Sequence, residues 1–266
     1  MTLPKLRLAV LGVGGSGKTT ITTHSAYWLA KTGFSTVWFD FDPQGSMELF
    51  GGVGQPPPEQ TVSQVLKDNF DGNYPLVSVW EKYLKDKIRA CRGNLDLVES
   101  GDELVMHDRG AYLIADRLED FPLACDAVLF DCPATLGPLC RLAVSASTHI
   151  LIVTEPEPKG IKGTVEFIKW IYGTFKRLRL RPQPEILGFV INKVNTDWAI
   201  HRKNVPILQE ELQKAKIHCF DPIRMTPEFK NATENGLPLH IHRPRHRACK
   251  DFKPIFDQLI AILKNE

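Results

Sequence analysis

No Cys-x-x-Cys pair occurs in this chain, although it holds six cysteines, Cys91, Cys125, Cys132, Cys140, Cys219 and Cys249. Zinc ribbons, cluster carriers and thiol oxidoreductases depend on that spacing, so those classes have no anchor here. Several of the six lie in apolar runs, where a reduced core thiol is the expected state. No apolar run approaches membrane-span length, and no charged-then-apolar leader precedes the first strand, so a cytoplasmic, reducing setting is the expectation. Excess charge is lacking too. Lys plus Arg number 33 against 31 Asp plus Glu, a net charge of +2, so any polyanion partner must be argued from local clustering. Repeats, low-complexity tracts and interdomain linkers are also missing. At 43% apolar over 266 residues, the composition suits a single globular domain spanning 1–266.

What is present is organised around Leu6 to Thr20, LRLAVLGVGGSGKTT. Leu6 to Leu11 reads as a buried parallel strand, and Ile21 to Lys31 as a helix stopped by Gly33. Between them stands Gly12-x4-Gly17-Lys18-Thr19, the phosphate-loop spacing in its required strand–loop–helix context. Gly14, Gly15, Ser16 and Gly17 would bring backbone N–H groups onto phosphate oxygens, where larger side chains would block the approach. Lys18 would reach the β- and γ-phosphates, Thr19 would hold Mg²⁺, and Thr19 and Thr20 open a helix whose positive end faces the anion.

Further strands end in acids. Thr36 to Phe41 runs into Asp42-Pro43-Gln44, with Asp40 and Asp42 spaced by two, and Asp126 to Asp131 closes on Asp131 before Pro133. An acid ending a buried strand one crossover from a phosphate loop is suited to Mg²⁺, which makes Asp131 a metal candidate with Thr19 and Asp42. His149 to Val153 and Ile186 to Val194 are the next strands, the latter carrying Asn192. Helices are expected over Thr164 to Arg177, Arg202 to Lys216 and Phe252 to Leu263. Residues 51–92 are the least readable: Pro56 to Pro58 exclude a helix and Val62 to Leu66 suits a short one. Asn94 to Val98 reads as an edge or late strand and Leu104 to Leu118 as a helix. The alternation of strands and helices predicts an α/β fold, a mostly parallel twisted sheet with helices on both faces. His240 to Lys250 is the dense basic stretch, with Arg243, Arg245, Arg247 and Lys250 joined by His240, His242 and His246. Arg224 and Lys230 extend it into a candidate DNA-contacting face.

VLGVGGSGKTT, WFDFDPQGS and AVLFDCPATLG together resemble the ParA/MinD family of deviant-Walker P-loop ATPases, and Asp-x-Asp-Pro-Gln-Gly-Ser is closer to its ParA branch. ILIVTEPEPKGIKG, ILGFVINKV and NATENGLPL extend the likeness over nearly the whole chain apart from residues 51–92. The resemblance implies ATP and Mg²⁺ as cofactors, with Lys18 and Asp42 catalytic, Asp42 orienting the attacking water, and Asp40 supporting its segment. It also implies an adenine contact at Asn192. One position departs: the family's first phosphate-loop lysine, which crosses a dimer to the partner's nucleotide, is here Val13. Carboxysome-positioning relatives of the McdA type also lack it and place a substitute later in the chain. Lys159, in a proline-bounded loop after the fourth clear strand, is the candidate, with Lys162 the nearby alternative. The implied function is an ATP-dependent homodimer that binds non-specific double-stranded DNA and positions or partitions a plasmid, chromosome or carboxysome. A small adaptor protein would stimulate its slow hydrolysis, and the setting would be nucleoid-associated, without membrane. Two alternatives share the fold. One is an amidating enzyme of the cobyrinic acid diamide synthase type. The other is a MinD-type membrane-cycling regulator, which needs a basic amphipathic tail; here the stretch ending Lys264-Asn265-Glu266 follows an apolar stripe suited to burial.

Overall fold

The computed structural model describes residues 2–264, so Asn265 and Glu266 lie outside the described residues. Its centre is an eight-stranded sheet: β1 (Leu6–Gly12), β2 (Thr36–Asp40), β3 (Leu76–Ser78), β4 (Ile88–Cys91), β5 (Ala127–Asp131), β6 (His149–Thr154), β7 (Glu185–Ile191) and β8 (Cys219–Phe220). The strand order is β3-β4-β2-β5-β1-β6-β7-β8, parallel throughout except for β3 against β4. The central strands are apolar on both faces because helices cover both. Ala9, Leu11, Val37, Phe39, Val128 and Phe130 point to one side, onto the helices Pro138–Ala146 and Pro158–Leu178. Leu6, Leu8, Val10, Trp38 and Leu129 point to the other, onto Lys18–Lys31 and Lys253–Lys264. The expected α/β architecture is therefore the observed one. All six cysteines are free thiols. Among the described residues, no helix is long and apolar enough to cross a membrane.

Three expectations need correction. Asn94 to Val98 is not a strand: the helix Asp96–Met106 begins there, burying Leu97, Ser100, Gly101 and Leu104 at helical spacing while Leu95 is 69% exposed. The strand slots are taken by β3 and β4, inside the stretch that could not be read. The helix expected over Leu104 to Leu118 is broken by residues 107–112 and resumes as Leu113–Asp120. The helix after β6 starts at Pro158, with proline in its first turn, so Lys159 is helical rather than in a loop. The last helix buries Ile255, Phe256, Leu259 and Leu263, which places the tail's apolar stripe in the core.

Candidate nucleotide-phosphate site

The chemistry-bearing residues gather at the carboxyl ends of β1, β2, β5 and β7, where an open α/β sheet receives ligands. Gly12 sits so close to β6 that a Cβ there would lie 2.3 Å from the Val153 carbonyl oxygen. Gly17 combines two constraints. Its φ of +91° falls in the left-handed region, and a Cβ would come 2.3 Å from Asn192 Nδ2. That amide donates to the Ser16 carbonyl at 2.8 Å, so the end of β7 ties down the back of the loop. Across the loop, Ser16 N–H donates to the Val13 carbonyl at 3.2 Å. Lys18 is buried and its Nζ donates to the same carbonyl at 3.4 Å, folding the ammonium back along the loop.

Three carboxylates stand at or just beyond the ends of the neighbouring strands β2 and β5. Asp40 and Asp131 are register partners in β2 and β5, and both are fully buried. Asp40 accepts from Asp42 N–H at 3.0 Å and from Met47 N–H at 3.2 Å, so it clasps both ends of the loop that carries Asp42. Burial, then the neighbouring Asp131, raises its pKa well above the ordinary carboxyl value. Asp131 is pushed up to about 7, chiefly by burial, with the Thr19 hydroxyl and Lys18 ammonium opposing the shift. Its Oδ1 accepts from the Thr22 hydroxyl at 3.5 Å, but its Oδ2 has no hydrogen-bond partner among the described residues. An unpartnered buried carboxylate oxygen beside a threonine hydroxyl is a donor set that suits a hard divalent cation, so Thr19 and Asp131 fit Mg²⁺. Asp42 is half-buried and accepts from Gln44 N–H at 3.0 Å.

Gly15, Gly17, Lys18, Thr19, Thr20, Asp42 and Asn192 line one cleft of about 640 Å³. Its opposite wall is Met225 to Pro227, Phe229, Lys230 and Thr233, with Phe50, Ala134 and Lys193 completing it. This wall was missed from the sequence. Its signal was available in Pro222 and Pro227 just beyond the short strand β8, at the same sheet edge.

Residues 11–183 match an AAA-domain family. Over 95% of its length the chain is 28% identical to the ParA family protein of Chlamydia trachomatis, covering 96% of that protein. The chain belongs to the ParA/MinD family of P-loop ATPases. A 31% identical stretch shared with a putative replication protein A of Rhizobium rhizogenes spans 58% of this chain and only 41% of that protein. The ParA/MinD fold recurs in the ATP complex of Cyanothece McdA, with a TM-score of 0.83 at 18% identity, over 96% of this chain and 97% of that one. It recurs in cobyrinic acid a,c-diamide synthase of Mycobacterium smegmatis bound to an ATP analogue and magnesium, with a TM-score of 0.76 at 20% identity, over 97% and 95%.

Most other expected site residues of this ParA/MinD chain lie outside the cleft. Val13 is half-buried, and a Cβ at Gly163 would lie 2.9 Å from Val13 Cγ1, so the valine rests on the helix Pro158–Leu178. Lys159 is on that helix's first turn, exposed, with Nζ 3.9 Å from Glu155 Oε2. Lys193 holds the other oxygen of Glu155 at 2.9 Å and also donates to the Gly15 carbonyl. Lys162 pairs with Glu166 at 3.9 Å. In the basic set, Arg224 is bound bidentately by Asp251 at 2.6 and 2.8 Å, and Arg243 by Glu228 at 3.0 Å. Lys230 belongs to the cleft wall. Arg245, Arg247 and Lys250 are exposed, whereas His240 is buried beneath them.

Proposed function

We propose that this protein is an ATP-driven positioning switch. MgATP closes a homodimer, the dimer holds non-specific double-stranded DNA, and slow, adaptor-stimulated hydrolysis releases it. The observation that carries the reading is the convergence of Lys18, Thr19 and Asp42 on one cleft with a phosphate loop, with Asp131 buried behind it beside Thr22. In that cleft the loop N–H groups and Lys18 grip the phosphates, and Asp42 orients a water toward the γ-phosphorus while Asp40 holds its loop in place. Thr19, Asp131 and Asp42 would hold Mg²⁺, which would neutralise phosphate charge when bound. Asn192 borders the loop where an adenine would extend along β7 toward Met225 and Pro227.

Val13 leaves the dimer without a charge at the position that would cross between subunits. Lys159 is suited to replace it, because its tether to Glu155 is long and Lys193 already satisfies that carboxylate. Arg245, Arg247 and Lys250, with Arg224, Arg243 and Lys230 at their edges, form the proposed DNA-contacting face, and the working site is the nucleoid in the cytoplasm. An amidating enzyme of the cobyrinic acid diamide synthase kind is the second reading, favoured by the shared fold. Retention on immobilised duplex DNA decides between them. The switch predicts retention with ATP and Mg²⁺, prolonged in Asp42→Ala and lost with ADP. Equal retention in all nucleotide states would refute it.

A further inference from the structure

On the far side of the Asp42 loop lies a second cleft of about 340 Å³, within the roughly 300–1,000 Å³ of ligand pockets. The loop itself forms one wall through Pro43, Gln44, Gly45 and Met47, and Gly93 to Leu95 form another. Arg92, which also lines it, follows β4 directly and is only 7% exposed. Its Nη1 donates to the Gly54 carbonyl at 2.8 Å and its Nη2 to Gln60 Oε1 at 3.2 Å, both neutral acceptors. Among the described residues its Nε has no acceptor, and Asn94 Oδ1 two residues on has no donor. Burial lowers the pKa of this guanidinium, opposed by the neighbouring Cys91 rather than by a carboxylate. Glu48, the one acid lining the cleft, is exposed and accepts from Gln55 Nε2 at 2.9 Å. Buried cations in folded chains are ordinarily paired with an acid, and Arg is the residue suited to bidentate carboxylate binding. This one has no acid partner among the described residues.

The surroundings indicate what completes it. Leu95 and Val98 next to the cleft are 69% and 57% exposed, and Leu49 is 59% exposed. A free phosphate would match the charge of Arg92 but leave that apolar rim bare. We propose that the cleft docks an acidic segment of a partner polypeptide, with a Glu or Asp carboxylate received by Arg92 and apolar neighbours covering Leu95 and Val98. The segment would act on the site described above, because the cleft wall touches the Asp42 loop through backbone. A Cβ at Gly93 would lie 2.5 Å from the Asp40 carbonyl oxygen and 2.9 Å from that of Asp42, and one at Gly45 would lie 3.0 Å from the Gly93 carbonyl oxygen. Seating a ligand there fixes or displaces the water-orienting carboxylate. Assigning that segment to the proposed adaptor rests on the proposed function; the Arg92 site does not.

Nitrogen-15-labelled full-length protein without nucleotide is titrated with a capped peptide of alternating Leu and Glu, and with its Leu/Gln counterpart. The Glu peptide is expected to shift the Arg92 Nε–H signal and the Gly45 and Gly93 amides, with affinity at least about tenfold above the Gln peptide. Arg92→Gln abolishes the response. The exposed pair Leu95→Asp with Val98→Asp, which leaves the core untouched, also weakens it at least about tenfold by like-charge repulsion. Equal responses to the two peptides, a full response in both variants, or a response to duplex DNA in place of the Glu peptide would overturn the proposal. ATP is absent from this titration, so its failure leaves the ATPase reading standing, and failure of MgATP to bind leaves this site standing.

Discussion

Replacing Asp131 with Asn is expected to strengthen the nucleotide-free fold while removing its response to Mg²⁺. The carboxyl is raised from an ordinary 3.8 to about 7 by burial, beside the buried Asp40. A shift of that size corresponds to about 4 kcal/mol at about 1.36 kcal/mol per pH unit. The Asn amide keeps its own desolvation cost of about 1–3 kcal/mol, so the net gain above neutral pH is about 1–3 kcal/mol. The sign follows from proton linkage. The folded carboxyl keeps its proton to higher pH than the unfolded one, so its contribution is fully present below about 3.8 and is lost as pH rises through about 7. The variant is therefore less stable than the wild type by about its amide cost, about 1–3 kcal/mol, near pH 4, and its advantage grows to its full value at about pH 8. Urea midpoints in a chelator across that window measure it. The thermal midpoint with ATP, with and without Mg²⁺, reads the metal response: the wild type gains from Mg²⁺ and Asp131→Asn does not. A variant less stable at high pH, or one that gains as much from Mg²⁺ as the wild type, would refute the placement of Asp131 as the metal-facing carboxylate.

Lys18→Ala removes a charge-assisted contact worth about 1.5–3 kcal/mol and should weaken MgATP binding by about ten- to a hundredfold in calorimetry. Converting Arg245 and Arg247 to Ala together should lower the slope of log affinity for DNA against log salt by about 1.8, at about 0.9 per phosphate contact; an unchanged slope moves the DNA face elsewhere. His24 and His240 are held by burial at about 3 and about 4, so their ring resonances should stay neutral down to about pH 5. Because the unfolded chain protonates these histidines first, stability should fall as pH drops below about 6.5, opposing the trend set by Asp131.

The strands around the phosphate site were legible because each is a short, doubly covered apolar run ending in a residue with a chemical reason to be there. Val10-Leu11-Gly12, Phe39-Asp40 and Phe130-Asp131 each say both where the strand stops and what stands at its end. The Asp40 clasp on Asp42 and Met47 was foreshadowed only as a supporting role, since backbone donors cannot be read from side-chain order. Residues 94–98 were misread because Asn-Leu-Asp-Leu-Val alternates like a half-buried strand while Leu95 faces solvent and Leu97 the core. Leu76–Ser78 and Ile88–Cys91 hid as short strands among charges, where periodicity has too few residues to register. The wall from Met225 to Thr233 was missed for a different reason: apart from the prolines after β8, its members are ordinary residues brought to the site by the sheet's last crossover. Arg92 gave no sequence signal at all, because a lone arginine looks solvated until the fold buries it.

The central claim is that MgATP in this cleft closes a dimer. Light scattering on Asp42→Ala, which is expected to stall turnover, tests it most directly. The account predicts a mass of 30.0 kDa without nucleotide and about twice that with ATP and Mg²⁺, with Lys159→Ala remaining a monomer that still binds ATP. A stalled variant saturated with MgATP that stays monomeric would contradict it.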